Sequence, residues 1–264
     1  FNEIFNPNFS VFFYFVSILF LLLPVALVTG PFLPDAFLTL IGIYFLIVSI
    51  QKKLYAYYKN AFVCFFIIFY LFLIMSGLMS DDIYLSLIES NGPIFYFRYL
   101  FFVMGIKYLL DINPKLIKYF SSILLITILV VIIDGMLQWQ TGTNLSGYKI
   151  NIYHGSRVTG LFGDEPILGH FLSHVAPLSF ALILFLAKEK NSNFRILLLF
   201  SFLILCEVFI FITNDRAAFL KWVQFIFLLI FLSNNFKLFR LISFSLSCII
   251  ILYLALNTSH SYNR

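Results

Sequence analysis

Lys118-Tyr119-Phe120-Ser121-Ser122-Ile123-Leu124-Leu125-Ile126-Thr127-Ile128-Leu129-Val130-Val131-Ile132-Ile133-Asp134-Gly135-Met136-Leu137-Gln138 carries no charged side chain between Lys118 and Asp134. An α-helix rises about 1.5 Å per residue, so about 20 apolar residues match the thickness of a bilayer core. In hydrocarbon every backbone N–H and C=O must find a partner within its own segment, which a helix provides. The run therefore reads as a membrane-spanning helix. Working outward, comparable runs occupy 9–29, 32–50, 61–79, 94–110, 166–187, 195–213, 216–232 and 239–256. The weakest is 94–110, whose short core lies between Arg98 and Lys107. No strand-like alternation of barrel type interrupts the pattern. The expectation is an all-α polytopic integral membrane protein with about nine transmembrane helices.

Composition agrees. The chain is 62% hydrophobic and 11% charged, with a mean hydropathy of +1.00. Soluble domains carry roughly 25% charged residues, so a soluble fold is excluded as the comfortable reading. The 36 phenylalanines suit lipid-facing helix surfaces. Cys64, Cys206 and Cys248 all fall inside apolar runs, where Cys behaves as a small hydrophobe; no disulfide is expected. The chain opens at Phe1 without a basic n-region or a small-residue cleavage site, and its first apolar run is too long for a signal core. It ends on a polar stretch, 257–264, where a further outer loop would start. The expected organisation is one transmembrane helical domain over 1–264, a fragment of a longer chain, with a long outer loop at 139–165.

Basic residues set the orientation. Eleven of the 17 Lys and Arg, from Lys52 to Arg240, fall in one set of connections; six, among them Arg98, Arg157 and Arg216, fall in the other. The first set is placed in the cytoplasm, with the N-terminus inside. Loop 139–165, the longest connection, then faces outward, as do Asp81, Asp82 and Glu89. The net charge of +5 carries no nucleic-acid signal in such a protein.

Loop 139–165 holds Gly142, Gly147, Gly155, Gly160 and Gly163, which let a backbone turn tightly or approach a ligand. Asp164 or Glu165 at a cap, followed by Pro166 in the first turn, predicts the start of a helix there. Arg157 and free backbone amides would suit phosphate, although two carboxylates at the same helix end oppose an anion unless they point elsewhere. His170 and His174, at i and i+4, share a helix face. They suit a polar stripe along a hydrated cavity, a proton carrier, or two metal ligands that lack an obvious third; no metal and no cofactor is expected. A plain capped loop explains the glycines equally.

Ionisable groups within spans face a cavity or a partner. Asp134 lies near the outer end of its run and Glu207 deeper in 195–213, where it is expected to be protonated or paired with a basic group. Arg98 and Lys221 sit near helix ends from which they can snorkel. Arg216 begins an outer helix, with a salt bridge to Asp215, Asp164 or Glu165 as its bland alternative.

The pieces Arg157-Val-Thr-Gly-Leu-Phe-Gly-Asp-Glu-Pro-Ile-Leu-Gly-His-Phe-Leu-Ser-His174 and Thr213-Asn-Asp-Arg-Ala-Ala-Phe-Leu220 resemble, in content and order, the bacterial O-antigen ligase and O-antigen polymerase family. The resemblance implies a polytopic glycosyltransferase of the bacterial inner membrane, in lipopolysaccharide biosynthesis at the cell envelope. It would move a glycan from an undecaprenyl diphosphate carrier to a lipid or sugar hydroxyl at the periplasmic face. Its partners would be that lipid-diphosphate-linked glycan, the acceptor and membrane lipids. Arg157 and Arg216 match the family arginines that hold the diphosphate, while Asp164, Glu165, His170 and His174 are the candidates for further roles. Asp215 stands where Glu is common, and His174 where many relatives carry Arg. The family's catalytic histidine belongs to a later outer loop, and that role is not carried to His260; the catalytic base is left unassigned, with Asp164, Glu165, His170 and His174 as the candidates this chain offers. A transporter or flippase of lipid-linked glycans would use the same arginines without bond cleavage. A scaffold would use them only to pair helices.

Overall fold

The computed structural model describes residues 11–88, 92–150, 157–187, 193–232 and 237–261. Glu89, Gly155, Lys188, Lys190 and Arg264 lie outside the described residues, as do the side chains of Arg195, Lys237 and His260. Among the described residues 82% are helical and none forms a strand. Its α-helices are α1 (Val11–Ala26), α2 (Phe32–Gln51), α3 (Ala61–Leu78), the single-turn α4 (Ile83–Leu87), α5 (Phe97–Ile112), α6 (Leu116–Thr141), α7 (Leu168–Ala187), α8 (Asn193–Ile212), α9 (Arg216–Leu232) and α10 (Lys237–Ser261).

Each apolar run coincides with a helix, because the helix is the cheapest way to bond the backbone of an apolar segment. Among the described residues, five segments are long and apolar enough to cross a membrane: α2, α3, Pro93–Ile112, α6 and Leu168–Leu186. The apolar parts of α1, α8 and α10 are shorter, and α9 has 17 residues that include Arg216 and Lys221. The helix continues through Ser261 at the end of α10, where a loop was expected.

The chain divides into two compact units, residues 1–120 and 121–264. In the first, α2 and α5 pack most closely, and glycine is the reason. A Cβ on Gly105 would lie 2.9 Å from Ile41 Cγ2 and 3.3 Å from Phe45 Cβ, and one on Gly42 would lie 3.4 Å from Phe101 Cβ. Small residues at such crossings let helix backbones approach closely. Phe45, Val48, Val63, Leu100, Met104 and Tyr108 fill the core beside this crossing. At the C-terminal ends of the two helices, Lys52 Nζ donates to Tyr108 Oη (3.3 Å) and Tyr57 Oη donates to Asp111 Oδ2 (2.8 Å). At the opposite ends, Arg98 Nη1 donates to Asp35 Oδ2 at 2.7 Å. Arg98 is therefore held by a carboxylate of α2 and stacked on Tyr99, which corrects the expectation that it only snorkels.

In the second unit, α7 packs on α8 and α9, and α10 on α8. Gly135 of α6 faces the Phe209 ring of α8 and Leu168 of α7. Glu207 is 2% exposed, with Trp222 of α9 and Ser247 of α10 beside it. Its Oε1 has no hydrogen-bond partner among the described residues.

Candidate site where α7 and α9 begin

The loop after α6 is built around side chains of α6 itself. Asp134 and Gln138 stand one turn apart on a single face, and both are fully buried. Gln138 Oε1 accepts from the amides of Thr159 (2.8 Å) and Gly160 (2.7 Å), and Gln138 Nε2 donates to Thr159 Oγ1 (3.1 Å). Asp134 Oδ1 accepts from the amide of Leu145 (2.9 Å). Asn144 completes the lattice: its Nδ2 donates to Gly160 O (2.6 Å) and its Oδ1 accepts from the Tyr148 amide (2.7 Å). Gly147, at φ +86°, closes the tight turn between Asn144 and Tyr148. These bonds matter because an unpartnered buried N–H costs about 1–3 kcal/mol.

Gly160 shows why the sequence needs glycine here. Its φ is +55°, and an added Cβ would meet Asp134 Oδ2 and Leu168 Cδ2 at 3.3 Å. Gly160–Phe162 then form a 3₁₀ turn, and Phe162 anchors on Phe171 of α7 with ring centroids 5.3 Å apart. Arg157 enters this element half-buried, directly before the buried Val158 and Thr159.

Asp164 and Glu165 do not cap α7. The helix begins at Leu168 with no acidic residue in its first turn, and both carboxylates lie exposed in the preceding turn. The bonds from the Glu165 amide to Phe162 O (3.3 Å) and from the Ile167 amide to Glu165 O (2.9 Å) carry the chain past Pro166 before the helix starts.

The second motif lies against this one. Asn214, at φ +58°, terminates the turn after α8, a left-handed conformation that Asn tolerates better than most residues. Asp215 then caps α9: its Oδ1 accepts from the amides of Ala217 (3.1 Å) and Ala218 (3.2 Å). Its other oxygen, Oδ2, lies 3.0 Å from His170 Nδ1. The contact is possible because residue 169 is glycine. A Cβ there would lie 2.6 Å from Thr213 Oγ1 and 3.0 Å from Asp215 Cβ.

Asp215 is 6% exposed and His170 43%, so a buried carboxylate stands behind an accessible imidazole. The approach of Nδ1 to Asp215 Oδ2 is close but lacks hydrogen-bond geometry, so proximity rather than a directed bond joins the two groups. His174 is exposed, and its Nδ1 is tied back to His170 O at 2.7 Å. No group of three or more His, Cys, Asp and Glu with metal-binding geometry occurs among the described residues.

Arg216, the first residue of α9, is exposed, and Arg157 is half-buried. Neither makes a salt bridge among the described residues. The carboxylate nearest Arg216 in sequence is committed to His170 and to the helix cap. The structure thus brings together His170, Asp215 and the start of α9. It leaves Asp164, Glu165 and His174 on the exterior.

Gln138, Asn144 and Asp215 are the residues that the sequence reading underused. The i, i+4 pair Asp134 and Gln138 at the end of an apolar run was the available signal for the first. No family model, curated protein or solved structure matches this chain.

Proposed function

We propose that this protein is an inner-membrane glycosyltransferase of the O-antigen ligase or polymerase type, acting on a lipid-diphosphate-linked glycan at the periplasmic face. The observation that carries the reading is the juxtaposition at Gly169. It sets the start of α7, which carries the first motif, against the start of α9, which carries the second.

Breaking a sugar–diphosphate bond leaves negative charge on the departing phosphate. Fixed cations aimed at that position stabilise the charge as it develops. Arg157 and Arg216 are the groups for this role, since no carboxylate among the described residues neutralises either. The acceptor hydroxyl must lose a proton as it attacks, and a positioned imidazole is suited to take it. His170, backed by the buried Asp215, is the described group best suited to that step. The sugar–oxygen bond to the acceptor forms, the bond to the diphosphate breaks, and the carrier leaves as its diphosphate.

Glycan transfer by the full-length protein in liposomes tests the proposal. Carrier diphosphate release is expected from the wild type and is expected to be lost in Arg157→Ala and Arg216→Ala, both of which should still insert. Substrate crossing the bilayer without bond cleavage would replace the reading by a flippase. Normal transfer by both variants would end it.

A further inference from the structure

A second polar site lies in the first unit. At the N-terminal ends of α2 and α5 a groove of about 730 Å³ is lined by Phe32, Asp35, Leu40, Tyr96, Arg98 and Tyr99, among others. We infer that this groove holds the headgroup of a zwitterionic phospholipid bearing a primary ammonium.

The groove has the polarity profile of a lipid. Its lining carries one cation and one anion, Arg98 and Asp35, joined by a single 2.7 Å contact. Arg98 keeps 21% of its side chain exposed beside that contact. Asp35 is 47% exposed, so its carboxylate has capacity to spare. A phosphodiester at the exposed face of the Arg98 guanidinium and an ammonium beside Asp35 would give each group a further partner without breaking their mutual contact.

Leu40 stands five residues along α2 from Asp35, about 7 Å deeper at the helical rise, and it is exposed. An acyl chain descending from the headgroup would cover it. Tyr96 and Tyr99 meet edge to face at 5.5 Å, and the Arg98 guanidinium sits 5.4 Å over the Tyr99 ring. Tyrosines of this kind gather at the level of lipid headgroups. A singly charged headgroup leaves one member of the ion pair uncompensated, and a quaternary ammonium has no N–H to donate to Asp35.

Native mass spectrometry of the purified chain decides the matter, by titration with phosphatidylethanolamine, phosphatidylcholine and phosphatidylglycerol of the same acyl composition. Phosphatidylethanolamine is expected to bind about tenfold more tightly than the other two, the factor that about 1.4 kcal/mol represents. Arg98→Gln and Asp35→Asn are expected to abolish that preference. Leu40→Trp, which fills the groove but leaves the ion pair alone, is expected to abolish it as well. This last variant keeps the test decisive if loss of the ion pair prevents folding. Equal binding of the three lipids by the wild type, or a preference that survives Leu40→Trp, would overturn the inference. Neither result bears on glycan transfer.

Discussion

Replacing Gln138 by Leu should detach the loop that carries Arg157 while leaving Arg157 itself untouched. The substitution nearly preserves side-chain volume but removes the acceptor for the amides of Thr159 and Gly160, which are bound at 2.8 and 2.7 Å. At about 1–3 kcal/mol for each buried orphaned N–H, the cost is about 2–6 kcal/mol. The Tyr148 carbonyl, also bound by Gln138 Nε2, keeps its bond from the Asn144 amide at 2.9 Å, so it adds little. The loop can relieve this cost by opening locally while α6 stays intact. Amide hydrogen exchange at Thr159 and Gly160 reads that opening directly. At the lower end, about 2 kcal/mol, exchange should accelerate about 30-fold, while the amides in the middle of α6 keep their wild-type protection. Transfer should fall in parallel if Arg157 binds the diphosphate. Unchanged exchange at both amides would refute the view that Gln138 holds this loop.

Gly169→Ala should weaken the contact between α7 and α9 by about 1–3 kcal/mol, the usual cost of overpacking, because a Cβ would meet Thr213 Oγ1 at 2.6 Å. Thermal unfolding in detergent should show the loss, and Thr213→Ala in the same chain should recover part of it. Asp215→Asn and Asp215→Ala separate two functions of one side chain. Asn keeps the cap on α9, whereas Ala loses about 1 kcal/mol of it; both should lose transfer if His170 needs the carboxylate, and a fully active Asn variant would exclude that need. Tyr57, which lies between α2 and α3, has its phenol pushed from 10.0 to about 12 by burial and by the carboxylate of Asp111. The folded state therefore holds this proton more tightly than the unfolded chain does. Its contribution is complete below pH 10 and is lost as pH rises towards about 12. Tyr57→Phe should flatten stability across that window in alkaline melts, and an unchanged slope would rule the linkage out.

That the chain is helical, and where its long apolar helices run, is legible in the residues alone. An apolar segment must bond its own backbone, and that requirement is local. All nine apolar runs accordingly became helices. The sequence also marked Arg157 and Arg216 as unusual, Arg157 by the glycine-rich loop around it and Arg216 by its place in the short gap between two apolar runs. The glycines at 160 and 169 were visible too, but not what they touch.

Only the tertiary structure decided the partners. Asp215 is adjacent to Arg216 in sequence yet serves His170, because Gly169 lets α7 settle against α9. Arg98 reads as a snorkelling cation until α5 is packed on α2 and Asp35 comes within 2.7 Å. Asp164 and Glu165 have the residue types of a helix cap, yet α7 starts three residues after Glu165. A cap depends on where the chain becomes free to turn, and here Gln138 of α6 and the Phe162–Phe171 contact with α7 itself fix that point. Helix formation follows from each segment's own bonds, whereas the pairing of charges follows from which segments lie side by side.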